Sequence, residues 1–233
     1  ERGELGYQHE LDSIAAEHSR WRPRERGCPP PPRVYKQRPQ PPEPKINWNR
    51  LHTEYQSALL DRPEWDQLVD ALGVPAVWLA ALEPGWHDGS FTFPMRDGKG
   101  NVIGLRRRWL DGKKRAVTGS KNGLYFARNY EPGGPTVIVE GESDCAATLS
   151  LGLYAVGRFS DRGGYEMLED VCVRRGKQVV FVADHDAAKI RPDGSMWWPG
   201  QEGASSLATR LAGLGMDVRV IEPAFGKDIR DWV

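Results

Sequence analysis

Residues 136–144 have the sequence Thr-Val-Ile-Val-Glu-Gly-Glu-Ser-Asp, and residues 178–186 have the sequence Gln-Val-Val-Phe-Val-Ala-Asp-His-Asp. Each stretch starts with a short run of β-branched and apolar residues, which predicts a buried parallel strand, and each ends in carboxylates. The carboxyl ends of parallel strands converge on one crevice of an open sheet. We therefore expect Glu140, Asp184 and Asp186 to lie close together at the edge of an α/β domain.

This acidic set predicts a metal site. Clustered carboxylates repel one another unless a cation neutralises them, and their oxygens suit a hard divalent ion such as Mg²⁺. Asp184 and Asp186 are two residues apart on a predicted extended segment, so both can address one pair of ions. Glu140 could supply a third ligand to the metal. Alternatively, it could act as a general base. Solvated carboxylates at strand ends are the simpler structural explanation.

The region around these motifs alternates strands with helices. The patterns predict strands at residues 136–139, 154–156, 178–183 and 217–221 and helices at residues 143–151, 165–173 and 204–214. Alternation with short connections predicts right-handed βαβ crossovers and a small parallel sheet covered on both faces. We therefore assign residues 131–233 to one α/β domain.

Two zones precede this domain. Residues 1–45 carry a short helical pattern and then a segment dense in Pro and Arg, which favours an extended arm or linker. Its basic residues could contact nucleic acid, although a solvated linker is the simpler interpretation. Residues 46–130 form a mixed α+β subdomain that ends in a β-hairpin around the turn at residues 97–101. The helical patterns of this zone cover residues 48–61, 63–72 and 75–82.

A dense basic run follows the hairpin turn, at residues 106–115. Side chains alternate across a strand, so Arg106 and Arg108 share one face while Arg107 lies on the other. A charged outer strand that discourages edge aggregation is one explanation. The chain has 32 basic and 32 acidic residues, so such clustering favours a phosphate-contacting surface. The candidate phosphate-binding residues here are Arg106, Arg108, Lys113, Lys114, Arg115 and Lys121.

Composition excludes several classes of protein. Cys28, Cys145 and Cys172 are isolated, without a CxxC pair or a His at ligand spacing, so neither a zinc site nor a disulfide framework is predicted. No apolar stretch approaches the roughly 20 residues of a membrane helix, and no signal peptide is visible. We therefore expect a cytoplasmic protein that does not bind membranes.

Two groups of residues carry a resemblance to a known family. The first group is Glu140-Gly141, Asp184-x-Asp186 and Lys227-Asp228 on the predicted βαβ frame. It resembles the TOPRIM domain that DnaG-type primases, type IA and type II topoisomerases and some nucleases share. The second group is Phe93-Pro94-Met95, Gly100 to Leu105, Arg108 and Lys114. It is similar to the basic strand pair that precedes TOPRIM in bacterial and in phage or plasmid primases, so the resemblance covers residues 88–233.

The resemblance implies roles for individual residues. Glu140, Asp184 and Asp186 are expected to hold the catalytic Mg²⁺ or Mn²⁺ ions. Asp144, Asp228 and Asp231 match further acidic positions of the site. Arg108, Lys114 and Lys227 are expected to contact phosphates. The implied activity is that of a DNA primase, a nucleotidyltransferase that makes short RNA primers from NTPs on single-stranded DNA during replication. A replicative helicase is the expected protein partner.

The sequence also departs from the family pattern. Residues 189–201, which include Trp197-Trp198, intervene between Asp186 and the next predicted helix, and the zinc-binding module of such primases has no counterpart here. The tryptophan pair could stack on a base, contact a partner or pack within its own hairpin. A TOPRIM nuclease, a topoisomerase fragment and a non-catalytic nucleic-acid adaptor are the alternative functions.

Overall fold

Three helices open the part of the chain that the computed structural model describes, residues 46–160 and 163–233. They are α1 (Trp48–Leu59), α2 (Glu64–Leu72) and α3 (Ala76–Ala80). The Asn47 side chain accepts a hydrogen bond from the Arg50 amide and so caps the start of α1. Gly73, in the left-handed conformation at φ 63°, ends α2. The arm predicted at residues 1–45 lies outside the described residues.

An antiparallel sheet follows the helices. Its strands are β1 (Gly85–His87), β2 (Ser90–Arg96), β3 (Val102–Arg108) and β4 (Lys114–Ala116), in the spatial order β1-β2-β3-β4. Asp88 and Gly89, at φ 45° and 70°, form the two-residue turn between β1 and β2, as a tight hairpin requires. The register pairs Arg107 with Arg115 and Arg108 with Lys114. The predicted hairpin is present, and β4 adds an outer strand to it.

The second sheet is parallel and has the predicted βαβ order. Its strands are β5 (Thr136–Glu140), β6 (Tyr154–Arg158), β7 (Gln178–Val182) and β10 (Asp217–Ile221), in the spatial order β10-β7-β5-β6. The connecting helices are α4 (Gly141–Ser150), α5 (Tyr165–Arg175) and α6 (Pro199–Ala212). Val139 packs with Ala146 of α4, whereas Ile138 packs on the opposite face with Leu168 and Leu207. Helices therefore cover both faces of the sheet.

Three features add to or change the strands and helices that the pattern predicts. Residues 189–197 form a two-stranded hairpin of β8 (Lys189–Ile190) and β9 (Met196–Trp197). Helix α6 then begins at Pro199, five residues before the predicted start, because proline is well accommodated in a first helical turn. A 3₁₀ helix, Ile229–Trp232, ends the chain. In the described ranges no helix has the length and apolar character to cross a membrane.

A short segment ties the two sheets together. The backbone of Leu124 bonds to Arg96 of β2, and the backbone of Tyr125 exchanges two hydrogen bonds of 2.8 and 2.9 Å with Gly157 of β6. One hydrophobic cluster also includes Phe93 of the antiparallel sheet and Val139 of the parallel sheet. The basic strands are therefore fixed relative to the carboxyl ends of the parallel strands.

Candidate active site

A pocket of about 260 Å³ lies where the carboxyl ends of the parallel strands face strands β3 and β4. Its acidic lining residues are Glu140, Glu142, Asp144, Asp184 and Asp228, and its basic lining residues are Arg106, Arg108, Lys114, Arg158, Lys227 and Arg230. The structure thus brings four of the six predicted metal ligands to one pocket, together with four of the seven predicted phosphate contacts.

The carboxylates are close enough to disturb one another. Burial, together with the charges of Asp228 and Asp184, raises the pKa of Asp144 to about 8. Burial, together with Glu140, Asp228 and Asp186, raises the pKa of Asp184 to about 7. Both shifts have the sign expected when negative charges share a desolvated site.

Arg230 partly neutralises this acidic group. Its Nε lies 2.9 Å from Asp144 Oδ1, and its Nη2 lies 2.5 Å from Asp228 Oδ2. Asp228 also accepts a hydrogen bond from the Arg230 backbone amide, at 3.1 Å, and so caps the C-terminal 3₁₀ helix. Arg230 was not among the predicted site residues, although it lies between Asp228 and Asp231 in the sequence.

Glu142 was also missed, and it joins the two sheets. Its buried carboxylate accepts a bond of 2.7 Å from Arg108 Nη1 and lies 2.9 Å from Lys114 Nζ. Burial opposes ionisation of this group, but Lys114 and Arg108 outweigh burial and lower its pKa to about 2. The three side chains form a clamp between β3, β4 and α4, which we call the Glu142 clamp.

The local backbone explains how α4 presents its acidic residues. Gly141, the first residue of α4, has φ +87°, a conformation that favours glycine. A Cβ on Gly157 of β6 would lie only 2.2 Å from the Gly141 carbonyl oxygen. The close approach of these two glycines lets α4 start directly at the strand end, so its first turn carries Glu142 and Asp144 into the pocket.

Asp186 and Asp231 do not line the pocket. Asp186 Oδ2 accepts a hydrogen bond of 3.2 Å from the Gly200 amide in the first turn of α6. Asp231 Oδ2 accepts one of 2.6 Å from the Lys227 amide and helps to cap the last helix. The segment after β7 also differs from the extended one that the sequence suggests. The Asp186 amide bonds back to the Asp184 carbonyl at 2.9 Å, so the chain turns between them.

Three predicted phosphate contacts lie elsewhere. Exposed Lys113 pairs with Asp111 at 2.7 Å. Lys121 belongs to a loop whose neighbour Ser120 bonds to the Leu105 backbone. Arg115 points to the opposite face of β4 from Lys114, as strand alternation requires.

The donor set fits a hard divalent cation. The pocket holds carboxylates whose pKa values are raised by mutual repulsion, and bound Mg²⁺ or Mn²⁺ would relieve that repulsion. Of the predicted metal ligands, Glu140, Asp144, Asp184 and Asp228 line the pocket and could hold such an ion. Within residues 46–160 and 163–233, no group of three or more His, Cys, Asp or Glu side chains has the geometry of a metal site.

Comparison with known proteins identifies the fold. Neither family models nor curated protein sequences give a match. Among solved structures, the Escherichia coli primase catalytic core has 19% sequence identity and a TM-score of 0.59, over 80% of this chain and 74% of that one. The Aquifex aeolicus primase, solved with its zinc-binding and RNA polymerase domains, has 16% identity and a TM-score of 0.62, over 79% of this chain and 56% of that one.

A DnaG primase catalytic domain bound to single-stranded DNA has 18% identity and a TM-score of 0.59, over 79% of this chain and 72% of that one. At such identities the similarity demonstrates a shared fold. The chain therefore has the architecture of the DnaG primase catalytic core, as the sequence predicted.

Proposed function

We propose that this chain is a DNA primase that joins nucleotides into short primers on single-stranded DNA during replication. The observation that carries the proposal is the pocket in which an acidic wall of strand-end carboxylates faces a basic wall from β3 and β4. Nucleotidyl transfer needs both, because the reacting phosphates are polyanions and the acids recruit divalent cations. The DnaG-like fold supports this assignment over other phosphate chemistries.

The protein's own residues supply binding and orientation. Glu140, Asp144, Asp184 and Asp228 would hold two Mg²⁺ or Mn²⁺ ions, with Asp186 and Asp231 as supporting acids. The bound ions supply activation of the 3′-hydroxyl and neutralisation of the transferred phosphate. Arg106, Arg108, Lys114 and Lys227 contact NTP or template phosphates. The Glu142 clamp fixes Arg108 and Lys114 in advance, so little side-chain entropy is lost when phosphate binds.

The biological setting belongs to the same proposal. A phage, plasmid or other mobile element is the proposed source type, and a replicative helicase that unwinds the template is the proposed partner. We expect the protein to act in the cytoplasm. We also propose that the chain is divided into an arm at residues 1–45, a basic subdomain at residues 46–130 and a TOPRIM domain at residues 131–233.

Primer synthesis tests the proposal directly. The protein is incubated with single-stranded DNA, labelled NTPs and Mg²⁺ or Mn²⁺, and products are separated on a denaturing gel. We expect short oligonucleotides from the wild type and none from Asp184→Asn. Asp217→Asn is the matched control, because Asp217 is exposed at the amino end of β10, away from the carboxyl-end pocket. Synthesis by Asp184→Asn at the wild-type rate would contradict the site.

Two other outcomes would point to a different function. Metal-dependent degradation of DNA without NTPs would identify a nuclease that uses the same acids. Salt-sensitive DNA binding without turnover in any mixture of metal and nucleotide would identify a binding module.

A further inference from the structure

The strands that supply Arg108 and Lys114 to the pocket carry a second basic and aromatic set on their other face. Arg107 and Arg115 are directly opposite each other in the β3–β4 register. Together with His87, Trp109 and Thr118 they line a separate cavity of about 360 Å³. We call this cavity the reverse-face site. It shares no lining residue with the candidate active site.

Arg107 is held rigidly in this site. Its Nε donates to Ser90 Oγ at 2.7 Å, and its Nη2 donates to the Asp88 carbonyl oxygen at 2.6 Å and to Asp88 Oδ2 at 3.1 Å. Its guanidinium carbon lies 4.6 Å from the centre of the Trp109 ring. In the described part of the chain Nη1 makes no hydrogen bond, so two N–H groups of a fixed guanidinium remain available.

Arg115 supplies a second, unneutralised charge. It is exposed, and no acidic side chain within residues 46–160 and 163–233 forms an ion pair with it. Like charges directly opposite each other on a strand pair are destabilising. Asp88 offsets only the charge of Arg107. An anion bound between the two arginines would therefore be favourable, and the partly exposed Trp109 offers it an aromatic neighbour.

We infer that the reverse-face site binds one nucleotide unit. The phosphate is held between Arg107 Nη1 and Arg115, with the Thr118 hydroxyl at the rim, and the base lies against the Trp109 indole. Strand β4 is the outer strand of its sheet, so a nucleic-acid strand can pass around its edge from Lys114 on one face to Arg115 on the other. The identification of the ligand as a nucleotide rests on the proposed function.

Binding of fluorescent oligo(dT) without metal tests this inference. Anisotropy is measured for strands of about 5 and about 20 nucleotides, since only the longer strand can span both faces. Arg115→Glu and Trp109→Leu are compared with the wild type. Arg219→Glu is the matched control, because Arg219 is an exposed arginine on β10, the outer strand of the other sheet. Thermal unfolding establishes that each variant is folded.

We expect Arg115→Glu to weaken binding of the long strand about tenfold and to reduce the slope of log affinity against log salt by about 1. Arg115→Glu should weaken binding of the short strand less than that of the long strand, and Arg219→Glu should change the affinity for either strand by less than about twofold. The same titrations with a fluorescent ATP derivative distinguish the source of the phosphate. Loss of ATP binding alone in Arg115→Glu would assign the site to free nucleotides.

The inference is overturned if Arg115→Glu and Trp109→Leu bind both probes as the wild type does. Its failure can be separated from failure of the proposed function, because no step of the assay requires catalysis. If the wild type makes no primers but Arg115→Glu still weakens binding of the long strand, the reverse-face site stands and the primase assignment falls.

Discussion

Replacing Glu142 with glutamine tests how much the buried charge of the Glu142 clamp contributes to the stability of the protein. The substitution keeps the shape of the side chain but removes the buried charge shared by Arg108 and Lys114. The pKa of Glu142 is lowered from 4.5 to about 2, which corresponds to about 3 kcal/mol in favour of the ionised form. Breaking one partner of a buried ion pair costs a similar amount, about 3–5 kcal/mol. We therefore expect Glu142→Gln to lose about 3 kcal/mol of stability.

Urea unfolding at neutral pH measures this loss, with Glu131→Gln as control. Glu131 pairs with Arg175 at 3.6 Å but is 64% exposed, so its removal should cost less than about 0.5 kcal/mol. If Glu142→Gln unfolds at the same urea concentration as Glu131→Gln, the Glu142 clamp does not stabilise the fold. Glu142 would then not hold Arg108 and Lys114 in place.

The pH dependence of stability provides an independent check on the same residue. The pKa of Glu142 is lower in the folded chain than in the unfolded one, so its contribution is fully present above a pH of about 4.5. It is lost as the pH falls through that value toward about 2. The wild type should therefore lose more stability in this window than Glu142→Gln does. Parallel curves for the two proteins would show that Glu142 is not the responsible group.

Two further predictions concern charges buried near the site and in α1. Arg230→Met leaves Asp144 and Asp228 without their cation, so we expect the free energy of unfolding to fall by about 2 kcal/mol in the absence of metal. Mn²⁺ should then raise the thermal midpoint of the variant more than that of the wild type. Equal shifts in the two proteins would argue against ion binding by these acids. His52 donates a hydrogen bond of 2.8 Å to the Glu83 carbonyl oxygen, and burial lowers the pKa of its imidazole. The stability of the wild type should therefore decline as the pH falls below about 6.5. His52→Gln should show a smaller decline when thermal midpoints at pH 7 and pH 5 are compared.

Sequence patterns predicted the strands that position the site but not the ion pairs within it. Short runs of β-branched and apolar residues predicted β5 and β7, and with them the convergence of Glu140 and Asp184. The Glu142 clamp depends on how two sheets pack, and its partner Arg108 is 34 residues away in sequence. Local periodicity carries no information about such a distance. The hydrogen bonds that Asp186 and Asp231 accept from backbone amides were missed for a related reason, because they depend on the path of the backbone after the strands end.

The distribution of charge explains why one pocket can suit both metal ions and phosphates. Six basic and five acidic side chains line it, so its formal charge is close to zero. The signs are separated, because Arg106, Arg108 and Lys114 come from the antiparallel sheet and Glu140 and Asp184 from the ends of the parallel strands. Glu142 joins the two sides, and Arg158, Lys227 and Arg230 add positive charge on the side of the parallel sheet. The arginines and the lysine of β3 and β4 could therefore hold a phosphate, and Glu140 and Asp184 opposite them could hold the divalent cation that neutralises it.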